Sequence, residues 1–180
     1  MKPSSSHFRT LDLVYIALFA VLMAVSAWIS IPFYVPFTLQ TFAVFLTLMT
    51  LGGVRGFYAI LVYLLMGLVG FPVFSGFQGG LGILLGPNGG YLTGFLFAAL
   101  LYWLIASGRT PSRFRVLFAS LAGLLVCYGF GTAWYAAGYA APASGLRPIL
   151  SVCVVPFILP DLIKLFLAFA VSARLSQSIR

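Results

Sequence analysis

Glutamate is missing from this sequence, and its acids are two aspartates, Asp12 and Asp161. Charged residues make up 7% of the 180 positions, where a soluble domain carries roughly 25%. So little polarity cannot coat a water-exposed globule, which excludes an ordinary soluble domain. Histidine occurs once, as His7. With no H-E-x-x-H, no G-x-S-x-G and no second buried carboxylate, the groups for metal or nucleophilic catalysis are lacking, and no enzyme is expected. A G-x-x-x-x-G-K-[ST] phosphate loop is missing too, since GPNGGYLTG is not one. The chain is therefore expected to hydrolyse no ATP itself. Cys127 and Cys153 lie in apolar stretches without C-x-x-C or Cys/His spacing. They predict inert packing residues, not a zinc site or a disulfide framework.

What is abundant is apolar. Hydrophobic residues reach 62% and the mean hydropathy is +1.12. A bilayer solvates such side chains, and the length suits one domain over 1–180. A spanning helix needs roughly 20 apolar residues at about 1.5 Å rise each. The sequence predicts an all-α integral membrane protein with six spans, at 11–31, 37–51, 55–70, 91–107, 116–139 and 149–173. Breaker residues separate them, including Pro32, Pro36, Gly52, Gly53, Pro72, Pro111, Pro142 and Pro148. The first run is longer than a typical signal h-region and no persuasive cleavage site follows, so it reads as a retained helix. Asp12, near its start, suits the positive end of a helix dipole. No internal repeat is visible, so an inverted-repeat transporter is not supported.

The net charge of +8 sorts by side. Six spans put both termini together, with Lys2, Arg9, Arg55, Arg109, Arg113, Arg115, Arg174 and Arg180; Arg147 alone falls on the other side. That asymmetry predicts cytoplasmic N- and C-termini. Basic residues this scattered form no patch for nucleic acid. The loops 32–36, 71–90 and 140–148 then face outward. The middle one, between the third and fourth spans, is long, uncharged and rich in glycine and aromatics. It is either a surface connection or the wall or lid of a pocket.

Asp161 and Lys164 lie within the sixth span, where an ionised side chain costs roughly 2.5–3.5 kcal/mol on insertion scales. Three residues apart on a helix, they share a face and can pair. Such a pair either fixes packing or serves a ligand, and as a stabilising device alone it is weak. Pro160 predicts either a helix break, with Asp161 at a new N-terminus, or a kink. Thr38, Gln40, Thr41, Gln78, Asn88, Tyr91, Tyr128 and Tyr135 supply further polar groups, beside Phe71, Phe74 and Phe77. An apolar cavity with a few placed polar groups is the usual design of a small-molecule site. In the first span Ala17, Ala20, Ala24 and Ala27 form a small-residue stripe, for packing within the chain or docking a partner helix.

Three stretches carry a family resemblance: VPFTLQTFAVFL at 35–46, GLVGFPVFSGFQGGLGILLGPNGGYLTGF at 67–95, and CVVPFILPDLIK at 153–164. Together they resemble the biotin-transporter S-component (BioY) family of energy-coupling-factor transporters. The family pattern reads GPTGGY and PFIPGDLIK; here Asn88 replaces the threonine, and Leu159-Pro160 replaces Pro-Gly. The resemblance implies a multi-pass protein of a prokaryotic cell membrane that captures biotin. It implies substrate contacts from Asp161 and Lys164, with Asn88, Tyr91, Gln40, Phe71 and Phe74 around them. It implies that an AxxxA face, Ala20 and Ala24, docks a transmembrane coupling protein driven by two cytoplasmic ATPase subunits. A stand-alone secondary transporter, with Asp161 carrying a proton, is the alternative.

Overall fold

The computed structural model describes residues 9–31, 37–108, 111–140 and 145–179, with side chains through 175. Lys2, His7, Arg109 and Arg180, the loop 32–36 and part of the loop 140–148 lie outside the described residues.

The chain is mostly helical. The order is α1 (Thr10–Trp28), β1 (Ser30–Ile31), β2 (Phe37–Thr38), α2 (Gln40–Leu51), α3 (Gly53–Val69), α4 (Leu81–Leu84), α5 (Gly89–Ala106), α6 (Arg113–Gly138), α7 (Leu146–Cys153) and α8 (Val155–Ile179). Among the described residues, four helical stretches are long and apolar enough to cross a membrane: Thr10–Trp28, Gly89–Ala106, Arg113–Gly138 and Leu146–Leu175. Two shorter apolar helices, Gln40–Leu51 and Gly53–Val69, accompany them. This is the architecture of a multi-pass membrane protein. Its surface is apolar on many sides, with Leu104 75%, Phe114 79% and Leu125 69% exposed. In lipid these side chains lose nothing by facing outward.

The predicted boundaries shift in three places. The stretch predicted as the start of the second span is extended: β2 pairs antiparallel with β1, Ser30 opposite Thr38 and Ile31 opposite Phe37. The loop between α3 and α5 carries a helical turn of its own, α4. The break in the last span falls at Val154, not at Pro160, which lies inside α8. Pro156 explains this. It has no N–H to continue α7, whereas its ring suits the first turn of a new helix. Asp161 therefore lies in the second turn of α8.

Asp12 does cap α1. Its Oδ2 accepts the Arg9 N–H at 3.0 Å, and its Oδ1 pairs with Arg55 Nη2 at 3.0 Å. The beginnings of α1 and α3 are thus tied at one end of the bundle. Most of the small-residue stripe on α1 turns inward, with Ala20 1% and Ala24 4% exposed, while Ala17 stays exposed. Ala20 and Ala24 pack in the main core with Phe19, Met23, Val44 and Ile60. Of the two readings of the stripe, packing within the chain accounts for Ala20 and Ala24 in the lone chain. The chain's own helices cover them, which is the use of small residues that lets backbones approach closely.

Candidate functional site

A cavity of about 110 Å³ opens at the end of the bundle remote from Asp12 and Arg55. Its walls come from β2, α2, the 70–88 loop, α5, α6, α7 and α8. Of the residues singled out in the sequence, Gln40, Phe74, Asn88, Tyr91, Asp161 and Lys164 line it together. Phe71 does not, and it is 56% exposed. Its neighbour Val73 donates to the Phe71 carbonyl at 2.8 Å, a tight turn that sends Phe74 inward instead.

The charged pair sits on the floor. Lys164 Nζ lies 2.8 Å from Asp161 Oδ1, with side chains 7% and 6% exposed. The other carboxylate oxygen, Oδ2, accepts the Tyr128 hydroxyl at 2.7 Å. The ammonium also stands 4.0 Å from the centroid of the Phe37 ring, a cation–π geometry. Phe37 stacks in turn on Phe157, with centroids 6.1 Å apart. The strand pair β1–β2 thus has a purpose in the site: it presents Phe37 to the lysine. A carboxylate has about four acceptor sites and an ammonium three donors, so both groups keep capacity for a bound molecule.

Gln40 is oriented by a relay. Tyr63 Oη donates to the Val73 carbonyl at 3.1 Å, so Gln40 Nε2 must be the donor to Tyr63 Oη, at 2.8 Å. The Gln40 amide oxygen is left without a protein partner among the described residues, a free acceptor at the cavity. Tyr91 shares a hydrogen bond with Thr132 Oγ1 at 3.1 Å and reaches the Cys153 carbonyl at 3.5 Å. Its ring occupies space that Gly131 leaves open, since a Cβ there would stand 2.2 Å from the ring. Gly67 does the same for Phe74, at 2.0 Å. Asn88 precedes α5 without using its side chain as a cap, which leaves the amide at the cavity wall.

The 70–88 loop folds back over the helices, burying Val73, Phe74 and Leu84. Helix-borne aromatics hold it by its backbone. Trp28 Nε1 donates to Pro72 O at 2.8 Å, Trp134 Nε1 to Gly86 O at 3.1 Å, and Tyr139 Oη to Leu85 O. Trp28 also stacks on Phe77, centroids 5.0 Å apart. Of the sequence's two readings, the loop is a pocket wall: Phe74, Ser75, Gln78 and Ile83 all line the cavity.

Sequence reasoning counted Tyr128 among the polar groups of a small-molecule site but did not name it as a substrate contact. It also missed Phe37, Phe95 and Phe157. The fall of Tyr128 on the α6 face toward α8 needs the pairing of those helices, which no local pattern carries. Cys127 and Cys153 are free and buried as expected, and both border the cavity.

A family model described as "BioY family" matches residues 1–180. The chain belongs to the BioY family. The "Biotin transporter BioY" of Thermotoga maritima is 40% identical over 167 residues, which cover 92% of this chain and 96% of that protein. The "Probable biotin transporter BioY" of Pyrococcus horikoshii is 40% identical over 161 residues, covering 89% and 93%. Among solved structures, the S-component for biotin from an ECF-type ABC transporter superposes with a TM-score of 0.83 at 26% identity, over 95% of both chains. These BioY relatives are named as transporters, not enzymes.

Proposed function

We propose that this chain captures biotin in the cavity above Asp161 and Lys164. It serves as the S-component of an ECF-type importer in a prokaryotic cell membrane. The observation that carries this reading is the Asp161–Lys164–Tyr128 cluster, charged groups held in a membrane-embedded cavity within a BioY-family chain. Biotin offers a ureido ring with two N–H donors and a carbonyl acceptor, an apolar thioether ring, and an aliphatic tail ending in a carboxylate. Asp161 accepts the ureido N–H groups, and Lys164 donates to the ureido oxygen. The amide oxygen of Gln40, the Asn88 amide and the Tyr91 hydroxyl complete the polar shell. Phe74, with Phe95 and Phe157, covers the apolar rings.

The six apolar helical segments, with α7 and α8 counted as one, cross the membrane as a single domain. The arginine-rich end, with both termini, is cytoplasmic by the charge asymmetry. The biotin cavity then faces outward. The chain needs no cofactor. ATP acts only through partners, a transmembrane coupling protein and two ATPase subunits. The coupling protein docks on the face of α1 that is exposed in the lone chain, with Ala17, Leu18, Val21 and Val25.

The test is titration of labelled biotin into the purified protein beside Asp161→Asn and Lys164→Ala. Tight binding by the wild type with losses in both variants is expected. Binding unchanged by either substitution would discard this site, and no binding by folded protein would discard biotin.

A further inference from the structure

A second cavity, of about 560 Å³, lies at the opposite end of the bundle, among the ends of α2, α5 and α8 and the beginnings of α3 and α6. Nothing in biotin capture uses it. We propose that it binds the phosphate headgroup of an anionic phospholipid.

Thr50 supplies the first observation. Its Oγ1 is buried without a hydrogen-bond partner, alone among the buried side-chain nitrogen and oxygen atoms of the described residues, and the residue Thr50 borders this cavity. Other hydroxyls on the helices satisfy themselves on their own backbone: Thr47 bonds Ala43 O at 2.7 Å and Ser120 bonds Val116 O at 2.8 Å. A buried hydroxyl left unmade costs free energy that a bound acceptor would recover.

The charge around it has one sign. Arg55 and Arg113 line the cavity and no acid does. Arg55 spends one N–H on Asp12 and keeps others. Arg113 has no partner among the described residues. The first turn of α3, from Gly53 to Arg55, also lines the cavity, and no side chain caps it. A helix start with unpaired N–H groups favours an anion. Guanidinium forks, a hydroxyl and a helix N-terminus are the groups that hold a phosphate.

The apolar wall selects a lipid over a free ion. Trp103 lines the cavity yet is 39% exposed on the outside of the bundle. It joins the cavity to the lateral apolar surface of Leu104. A headgroup can sit on the arginines while its acyl chains run down that surface. Inorganic phosphate needs no such wall.

The test uses the full chain in detergent and native mass spectrometry, titrating phosphatidylglycerol, with diacylglycerol as the phosphate-free control. One phosphatidylglycerol should bind saturably and diacylglycerol should not. Arg113→Gln should weaken it about tenfold, the loss of one hydrogen bond to a charged group. Thr50→Val should weaken it several-fold. Arg174→Gln, exposed at the same end but outside the cavity, should change nothing. Equal retention of diacylglycerol, or an Arg174→Gln loss matching that of Arg113→Gln, would overturn the site. Displacement by inorganic phosphate would overturn the lipid and leave only an ion. Circular dichroism on the same samples reports folding, and a failure of labelled biotin to bind folded protein would count against the biotin cavity alone.

Discussion

Replacing Asp161 by Asn and Lys164 by Met, singly and together, separates what the pair does for folding from what it does for binding. Each single change leaves one charge in a site whose side chains are only 6–7% exposed. Removing one partner of such a pair costs about 3–5 kcal/mol of stability. The two losses should differ. Asp161→Asn leaves the Lys164 ammonium with the Phe37 ring at 4.0 Å, a contact of about 0.5–2 kcal/mol. Lys164→Met leaves Asp161 with the Tyr128 hydroxyl at 2.7 Å, a charged hydrogen bond of about 1.5–3 kcal/mol. Asp161→Asn should therefore be the less stable, by roughly 1 kcal/mol on those two ranges. The double variant carries no stranded charge and should unfold later than either single one. Biotin binding should follow a different order. It should fall by about 2–5 kcal/mol, or about 30-fold to several-thousand-fold, wherever Asp161 is changed, the double variant included. Thermal unfolding in detergent and equilibrium binding of labelled biotin read the two quantities. A double variant that regains affinity along with stability would refute Asp161 as a ligand contact. Single variants with wild-type unfolding temperatures would refute the buried pair.

Tyr128→Phe removes the hydroxyl that orients Asp161 and should weaken biotin binding about tenfold in the same titration; unchanged binding would show the carboxylate holds its place without it. Gly67→Ala puts a Cβ 2.0 Å from the Phe74 ring, and should cost about 1–3 kcal/mol by overpacking, seen as a lower unfolding temperature with weaker biotin binding. Ala24→Leu should destabilise the isolated chain by a similar overpacking cost, while Leu18→Ala, on the exposed side of α1, should leave its unfolding temperature nearly unchanged. Trp28→Phe keeps the stacking surface against Phe77 but loses the 2.8 Å bond to Pro72 O; biotin dissociation should quicken by about fivefold.

Much of this was legible because lipid writes a simple code. Apolar runs bounded by Pro and Gly give the helices, and the cost of charge in hydrocarbon singles out Asp161 and Lys164. What was not legible depends on contacts between distant segments. Whether Ala20 and Ala24 face inward depends on where α2 and α3 lie, which a stripe of small residues does not say. Phe71 and Phe74 look alike in sequence; one tight turn at Val73 separates the exposed ring from the buried one. Pro160, which the sequence leaves as either a break or a kink, lies inside α8. Pro156 acts instead, since it lies where the missing N–H ends one helix and opens the next. Phe37 entered the site through a strand pair only two residues long, below the reach of any periodicity.

The hydrogen bonds from Trp28, Trp134, Tyr139 and Tyr63 share a direction: each donates from a helix or, for Tyr139, from the residue just after one to a loop carbonyl, at Pro72, Gly86, Leu85 and Val73. Every residue type offers that carbonyl. This part of the loop's hold on the bundle depends on the donors and on the backbone path, beside the buried contacts of its own Val73, Phe74 and Leu84. At positions such as Ser75, Gln78 and Ile83 the wall is open to redesign. A library varied there could shift ligand preference toward biotin analogues with the scaffold intact, whereas the same diversity spent on the four donors would cost the wall itself.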